Sequence, residues 1–142
     1  MDYVLAPIRN NQRVLEMKQF IQHGRISTYD HVESVTRLSI WLNDRLHIGA
    51  DDRVLVVGAF LHDFYLYDWH VTDDGHGLHG FSHSTTAKDN AVLHFGVNES
   101  VQSVIESHMW PLNITKLPKS KEAWIVCLAD KIVSTRETIM CR

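Results

Sequence analysis

The sequence predicts an all-α protein, a bundle of about six helices, on three observations. Apolar residues recur at three- and four-residue spacing through most of the chain, capping residues stand at the starts of those stretches, and no stretch reads as a convincing strand. The chain has 142 residues, 44% hydrophobic and 22% charged, which is the length and composition of one globular domain.

Val14, Leu15, Met17, Phe20 and Ile21 place the first helix over Asn10 to Gln22, and Gly24 ends it. Thr28 offers an N-cap to the second, whose stripe Val32, Val35, Leu38, Leu42 and Leu46 runs to Gly49. The third covers Arg53 to about Phe64. Its valines would suit a buried strand, but its length and the acidic Asp51-Asp52 before it favour a helix. From Tyr65 to Phe81 the pattern breaks, and "DWHVTDDGHGLHGF" reads as a loop of the length that is usually functional inside a domain. Ser82 or Ser84 caps a fourth helix through Ala87, Ala91, Val92 and Phe95 to Gly96. Asn98 caps a fifth, with Val101, Val104, Ile105 and His108 on one side. Pro111 and Pro118 forbid continuation, and Lys119 or Ser120 opens the sixth, through Trp124, Cys127, Leu128, Lys131 and Ile132.

Several classes are set aside by composition. The longest apolar run, Val54 to Leu61, is far too short to span a bilayer. The N-terminal "MDYVLAPIRNNQ" lacks the basic and long apolar regions of a signal peptide, so a cytoplasmic protein is expected. Cys127 and Cys141 show no CxxC spacing and are expected to be reduced thiols rather than a disulfide or a thiolate zinc site. A formal charge of −3 gives no electrostatic footprint for nucleic acid or an anionic membrane.

The unusual count is histidine, at ten. In "VLVVGAFLHDFYLYDWH" an apolar run ends in His62-Asp63. A carboxylate beside buried surface is costly unless a proton, a basic side chain or a metal neutralises it. Adjacent helical residues point about 100° apart and rarely satisfy one another, which speaks against a simple His62–Asp63 ion pair. Asp130, inside the apolar "VCLADKIV", raises the same question. His31 lies in the first turn of the second helix, His83 at the start of the fourth and His108 at the end of the fifth. A bundle can bring donors near helix ends to one point. Imidazole and carboxylate together suit Mn, Fe, Co, Ni or Zn. His76 and His79 share the segment of His83 and either could replace it. His70 could approach without binding, and His23, His47 and His94 fall at the surface or at helix ends.

The order H…HD…H…H…D, carried by His31, His62-Asp63, His83, His108 and Asp130 with "GAFLHD" and "LADKI" around it, resembles the HD-domain superfamily of metal-dependent phosphohydrolases over Thr28 to Ser134. The two intervening histidines resemble its two-metal subset. The resemblance implies an HD-domain/phosphodiesterase-like helical bundle in which His31, His62 and Asp130 bind one divalent transition metal (Fe, Mn, Zn, Ni or Co). His83 and His108 bind a second, and Asp63 bridges the two. It further implies that His62 and Asp63 serve catalysis, and that a bridging water of lowered pKa attacks a phosphomonoester or phosphodiester, nucleotides included, with no covalent intermediate.

One departure from the family's pattern concerns the substrate. Many members follow the HD pair with Gly-Lys, whose amine meets the substrate; here Phe64-Tyr65 stand instead. Lys131 is the candidate for that contact, with Lys116, Lys119 and Arg37 behind it. Phe64, Tyr65, Tyr67, Trp69 and Trp110 read as core first and substrate platform second. The same six ligands leave open a diiron oxygenase and a non-catalytic nucleotide-binding module. The expected partner is a small phosphorylated molecule.

Overall fold

The computed structural model describes residues 2–23, 25–64, 79–111 and 115–140, with side chains described at all of these except 2, 21, 23, 79–83 and 140. Seven α-helices carry the fold among them: α1 Asp2–Arg9, α2 Gln12–Leu15, α3 Thr28–Arg45, α4 Asp52–Leu61, α5 His79–Phe95, α6 Glu99–Ser107 and α7 Lys121–Met140. A single 3-10 turn, Glu16–Gln19, follows α2, and an antiparallel hairpin joins β1, Ile21–His23, to β2, Ile26–Ser27. The all-α reading stands, and no described helix is long and apolar enough to cross a membrane.

Helix α4 is the centre. From Leu55 to Leu61 every residue is buried, so this helix is apolar all round and has no solvent side. It packs against α1, α3, α5, α6 and α7. Two apolar clusters meet on it. One joins Val56, Val57, Phe60 and Leu61 to Val4 and Leu5 of α1, Val32 of α3 and Ile105 of α6. The other joins Leu55 and Ala59 to Val35, Val104, Val126 and Val133. Gly58 makes the α4–α6 approach possible, because a Cβ there would stand 2.6 Å from Val104 Cγ1.

The caps explain where the helices start. Asp51 Oδ1 accepts from Val54 N, Asn98 Oδ1 from Val101 N and Ser120 Oγ from Ala123 N, each at 3.0 Å; such a cap is worth about 1 kcal/mol. Five points of the sequence reading need correction. The cap of α3 is Ser27, whose Oγ accepts from Asp30 N. Thr28 is buried and donates to Phe20 O and Gln22 Oε1 instead. Helix α4 ends at Leu61, not Phe64, with His62 as its C-cap, and α5 begins at His79, not Ser82 or Ser84.

The expected helix over Asn10 to Gln22 is broken into α2, the 3-10 turn and β1, because Phe20 turns extended and its carbonyl accepts from Thr28 N. Finally, α1 was not expected at all. It forms despite Pro7 because Val4, Leu5 and Ile8 bury one face in the core.

Candidate metal centre

Four elements bring their side chains to one buried point. His31 comes from the first turn of α3, His62 and Asp63 from the C-terminal end of α4, His108 from just past α6, and Asp130 from the middle of α7. His31, His62 and His108 are fully buried and Asp63 nearly so. His31 Nε2 lies 2.9 Å from Asp130 Oδ1 and 3.4 Å from Asp63 Oδ2. His62 Nε2 lies 3.2 Å from Asp130 Oδ1 and 3.3 Å from Asp63 Oδ2. One ligand atom from each of His31, His62, Asp63 and Asp130 falls within 4.8 Å of the others. His108 Nε2 approaches the other oxygen of Asp63, Oδ1, at 3.3 Å.

The outward nitrogens decide what the inward ones can do. His62 Nδ1 is 2.6 Å from Ala59 O and His108 Nδ1 is 2.6 Å from Ile105 O. A carbonyl oxygen only accepts, so both Nδ1 atoms carry a proton and donate it. His31 Nδ1 donates in the same sense to the buried carboxylate of Glu137 at 2.6 Å. In neutral imidazoles this leaves all three Nε2 lone pairs aimed at carboxylate oxygens, an arrangement that is repulsive until a cation or protons lie between them.

The titration of the cluster follows from that geometry. Burial pulls the pKa of His31 down, yet hydrogen bonds to Asp130 and Glu137 and the nearby negative charges outweigh it and raise the pKa to about 9. Burial opposes protonation of His62 as well, but Asp63 and Asp130 lift its pKa well above the usual imidazole range. Against its own burial, Asp130 is held well below the usual carboxylate range by His31 and His62. The pocket therefore demands positive charge. Protons can supply it, and so can a metal ion, for which three imidazoles and two carboxylates are a fitting donor set.

Two supporting residues escaped the sequence reading. Gln22, on β1, donates from Nε2 to Asp63 Oδ2 at 3.1 Å, while its own Oε1 accepts from Thr28 Oγ1. Glu137, on α7, holds His31 from behind. The signal for Glu137 was its spacing: seven residues after Asp130, it lies two turns along the same helix face. Nothing comparable marked Gln22, because the local pattern spoke for a helix where a hairpin forms.

The remaining expectations divide. His83 lies on α5, but its side chain is outside those described; Tyr65, Tyr67, Trp69, His70 and His76 lie outside the described residues altogether. Phe64 is fully buried, stacked near Phe95 and His94, and is core. Lys131 Nζ donates to His108 O at 3.1 Å and Cys127 Sγ at 3.2 Å, so it caps the end of α6. Lys116 reaches Thr85 Oγ1 and Glu106, while Lys119 and Arg37 are exposed.

The family model for the HD domain matches residues 28–134, most of the chain and every residue of the cluster. The chain belongs to the HD-domain family. No curated protein matches it. Gln22 and Glu137 fall on either side of the matched residues, so this HD domain draws two of its site's supports from its own flanking segments.

Proposed function

We propose that this HD-domain protein is a metal-dependent phosphohydrolase acting on a small phosphomonoester or phosphodiester, a nucleotide among the candidates. The observation that carries the proposal is the buried convergence of His31, His62, Asp63 and Asp130, whose imidazoles turn their Nε2 atoms to a shared point where a metal can replace their protons. These four residues would hold one divalent ion. The second oxygen of Asp63, with His108 and His83, would hold another, and the fork of Asp63 toward His31 and His62 on one side and His108 on the other supports that bridging role. Bound there, the metal supplies Lewis acidity toward a phosphoryl oxygen and a water of lowered pKa as nucleophile.

The protein's own part is positioning. Ala59 O and Ile105 O fix the tautomers of His62 and His108, Glu137 does so for His31, and Gln22 holds Asp63 from the hairpin. Lys131, next in sequence to Asp130, anchors the His108 carbonyl and so the end of α6 from which that histidine projects.

The deciding experiment measures metal content in anaerobically purified protein alongside phosphate release from a panel of nucleotides and simple phosphoesters. Bound metal with anaerobic release is expected, and both are expected to vanish in Asp63→Ala. Metal-replete protein that releases no phosphate from any panel member would overturn the hydrolase reading.

A further inference from the structure

Helix α7 is apolar on two opposite sides. Its inner side carries Val126, Ala129 and Val133 into the core and Asp130 and Glu137 into the site. At 100° per residue, Trp124, Leu128, Ile132 and Ile139 lie on the side facing away, and they are 45%, 51%, 44% and 63% exposed. With Thr135 they make a seam of alternating four- and three-residue steps from 128 to 139, the pattern by which one helix packs along another. A surface helix ordinarily turns polar residues outward, and four large apolar ones in line form a patch rather than scattered exceptions.

We propose that this seam is an interface between two copies of the chain, with α7 packed antiparallel on α7 across a two-fold axis between Leu128 and Ile132. Shape favours a second copy. The N-terminal half of the seam borders a slot of about 310 Å³, walled by Ile48, Trp110, Pro111, Trp124 and Leu128, whereas the C-terminal half offers the side chains of Ile132 and Ile139. A surface with a recess at one end and apolar knobs at the other is self-complementary under a two-fold rotation, which is what an isologous dimer requires.

Charge selects the antiparallel sense. Glu122, whose Oε2 also accepts from Asp51 N at 2.9 Å, and the exposed Arg136 flank the seam on the same side, about four turns apart. Antiparallel pairing brings Arg136 of each copy beside Trp124 and Glu122 of the other, adding a cation over an aromatic face and an opposite charge; parallel pairing stacks like charges. The interface lies outside the ligand cluster and does not depend on the reaction assigned to it.

Sedimentation equilibrium of the 142-residue chain over a range of micromolar concentrations tests this directly. The wild-type chain is expected to approach twice the monomer mass. Leu128→Glu is expected to weaken the dimer by more than about tenfold while helical content and metal binding stay unchanged. Arg136→Glu, fully on the surface, is expected to weaken it less, and Glu122→Arg added to it should recover the loss. A wild-type chain that stays monomeric, its seam then serving a different protein, overturns the proposal, as does a Leu128→Glu chain that stays dimeric. Failure of the second charge reversal to rescue the first overturns the antiparallel arrangement.

Discussion

The two oxygens of Asp63 face different elements of the fold. Around Oδ2 stand His31, His62 and Gln22 within 3.4 Å, delivered by α3, the end of α4 and β1, with Asp130 of α7 completing the group. Oδ1 faces His108, from the end of α6. The first side is assembled by the same packing that makes the core. His31 adjoins Val32 and lies one turn before Val35, Asp130 sits between Ala129 and Val133, and His62 continues the buried Leu55–Leu61 stretch of α4. A site made from core helices exists before its ion arrives, so little ordering cost is left for binding. On the proposed reading the second side would also draw on His83 of α5, and we expect it to bind its ion more weakly than the first.

The largest effect should come from the residue common to both sides. Asp63→Ala is expected to bring metal content to background and abolish phosphate release, since no ion on either side keeps its bridging ligand. Mass-spectrometric metal analysis and the phosphate assay check both. His62→Ala and His108→Ala should then separate the sides. Losing His62 empties the better-built side, whereas losing His108 is expected to leave one ion bound while turnover falls. Equal metal loss in the two variants would erase the distinction drawn between the oxygens.

Protons compete with metal for the first side, and the sign of that competition can be worked out. His31 in the metal-free protein has its pKa raised to about 9, and His62 is raised as well. Their protonated forms stabilise the metal-free fold fully below the unfolded imidazole value of about 6.5; the His31 contribution is lost as pH rises through about 9, and that of His62 as pH rises through its own raised value. Asp130, held low, contributes above its unfolded value of about 4 and loses the contribution only as pH falls through its lower folded value. Metal-free protein is therefore expected to lose thermal stability from pH 7 to above 9, while apparent metal affinity rises over the same interval by about tenfold per pH unit for each proton displaced. Calorimetric titration in buffers of different ionisation enthalpy reports the protons released. A binding enthalpy independent of buffer would contradict the geometry.

Behind His31, Glu137→Gln keeps the shape and removes the charge. Metal affinity at the first side should fall by about 10- to 100-fold, with less effect on the His108 side. A loss spread evenly over both ions would mean that Glu137 supports α7 as a whole rather than one ligand.

What the sequence disclosed and what it hid differ in range. The cluster residues His31, His62, Asp63 and Asp130 could be read because each is a polar residue in an apolar helical context, a local contradiction that needs a partner. The caps at Asn98 and Ser120 were legible because their chemistry is local as well. Residues 12–23 misled because Val14, Leu15, Met17 and Phe20 suit a helix equally well, and only the tertiary bond from Thr28 N to Phe20 O shows the chain turning into the hairpin. Helix α1 was hidden by Pro7, whose local penalty is outweighed by the burial of Val4, Leu5 and Ile8. Gln22 acts on a residue 41 positions away, a distance over which spacing carries little information, and the bond of Glu137 to His31, 106 positions away, left only its two-turn offset from Asp130 to be read.

The smallest expected effect is also the sharpest test of how the hairpin serves the site. Gln22→Ala removes one hydrogen bond to Asp63 Oδ2 and leaves Thr28 without that acceptor, while the ligand cluster keeps its other contacts, so metal affinity should weaken only by about threefold to tenfold. If Gln22 merely fills space, Gln22→Glu, nearly the same size, should be milder still. If it works as a donor, Gln22→Glu should be worse than alanine in the metal-free protein, because it sets a second carboxylate about 3 Å from Asp63 where both are buried. Bound metal should then narrow the gap, since the ion offsets part of the added charge. Thermal melts of the two variants with and without metal give the ordering, and a Gln22→Glu protein more stable than Gln22→Ala in the metal-free state would reduce the hairpin to packing.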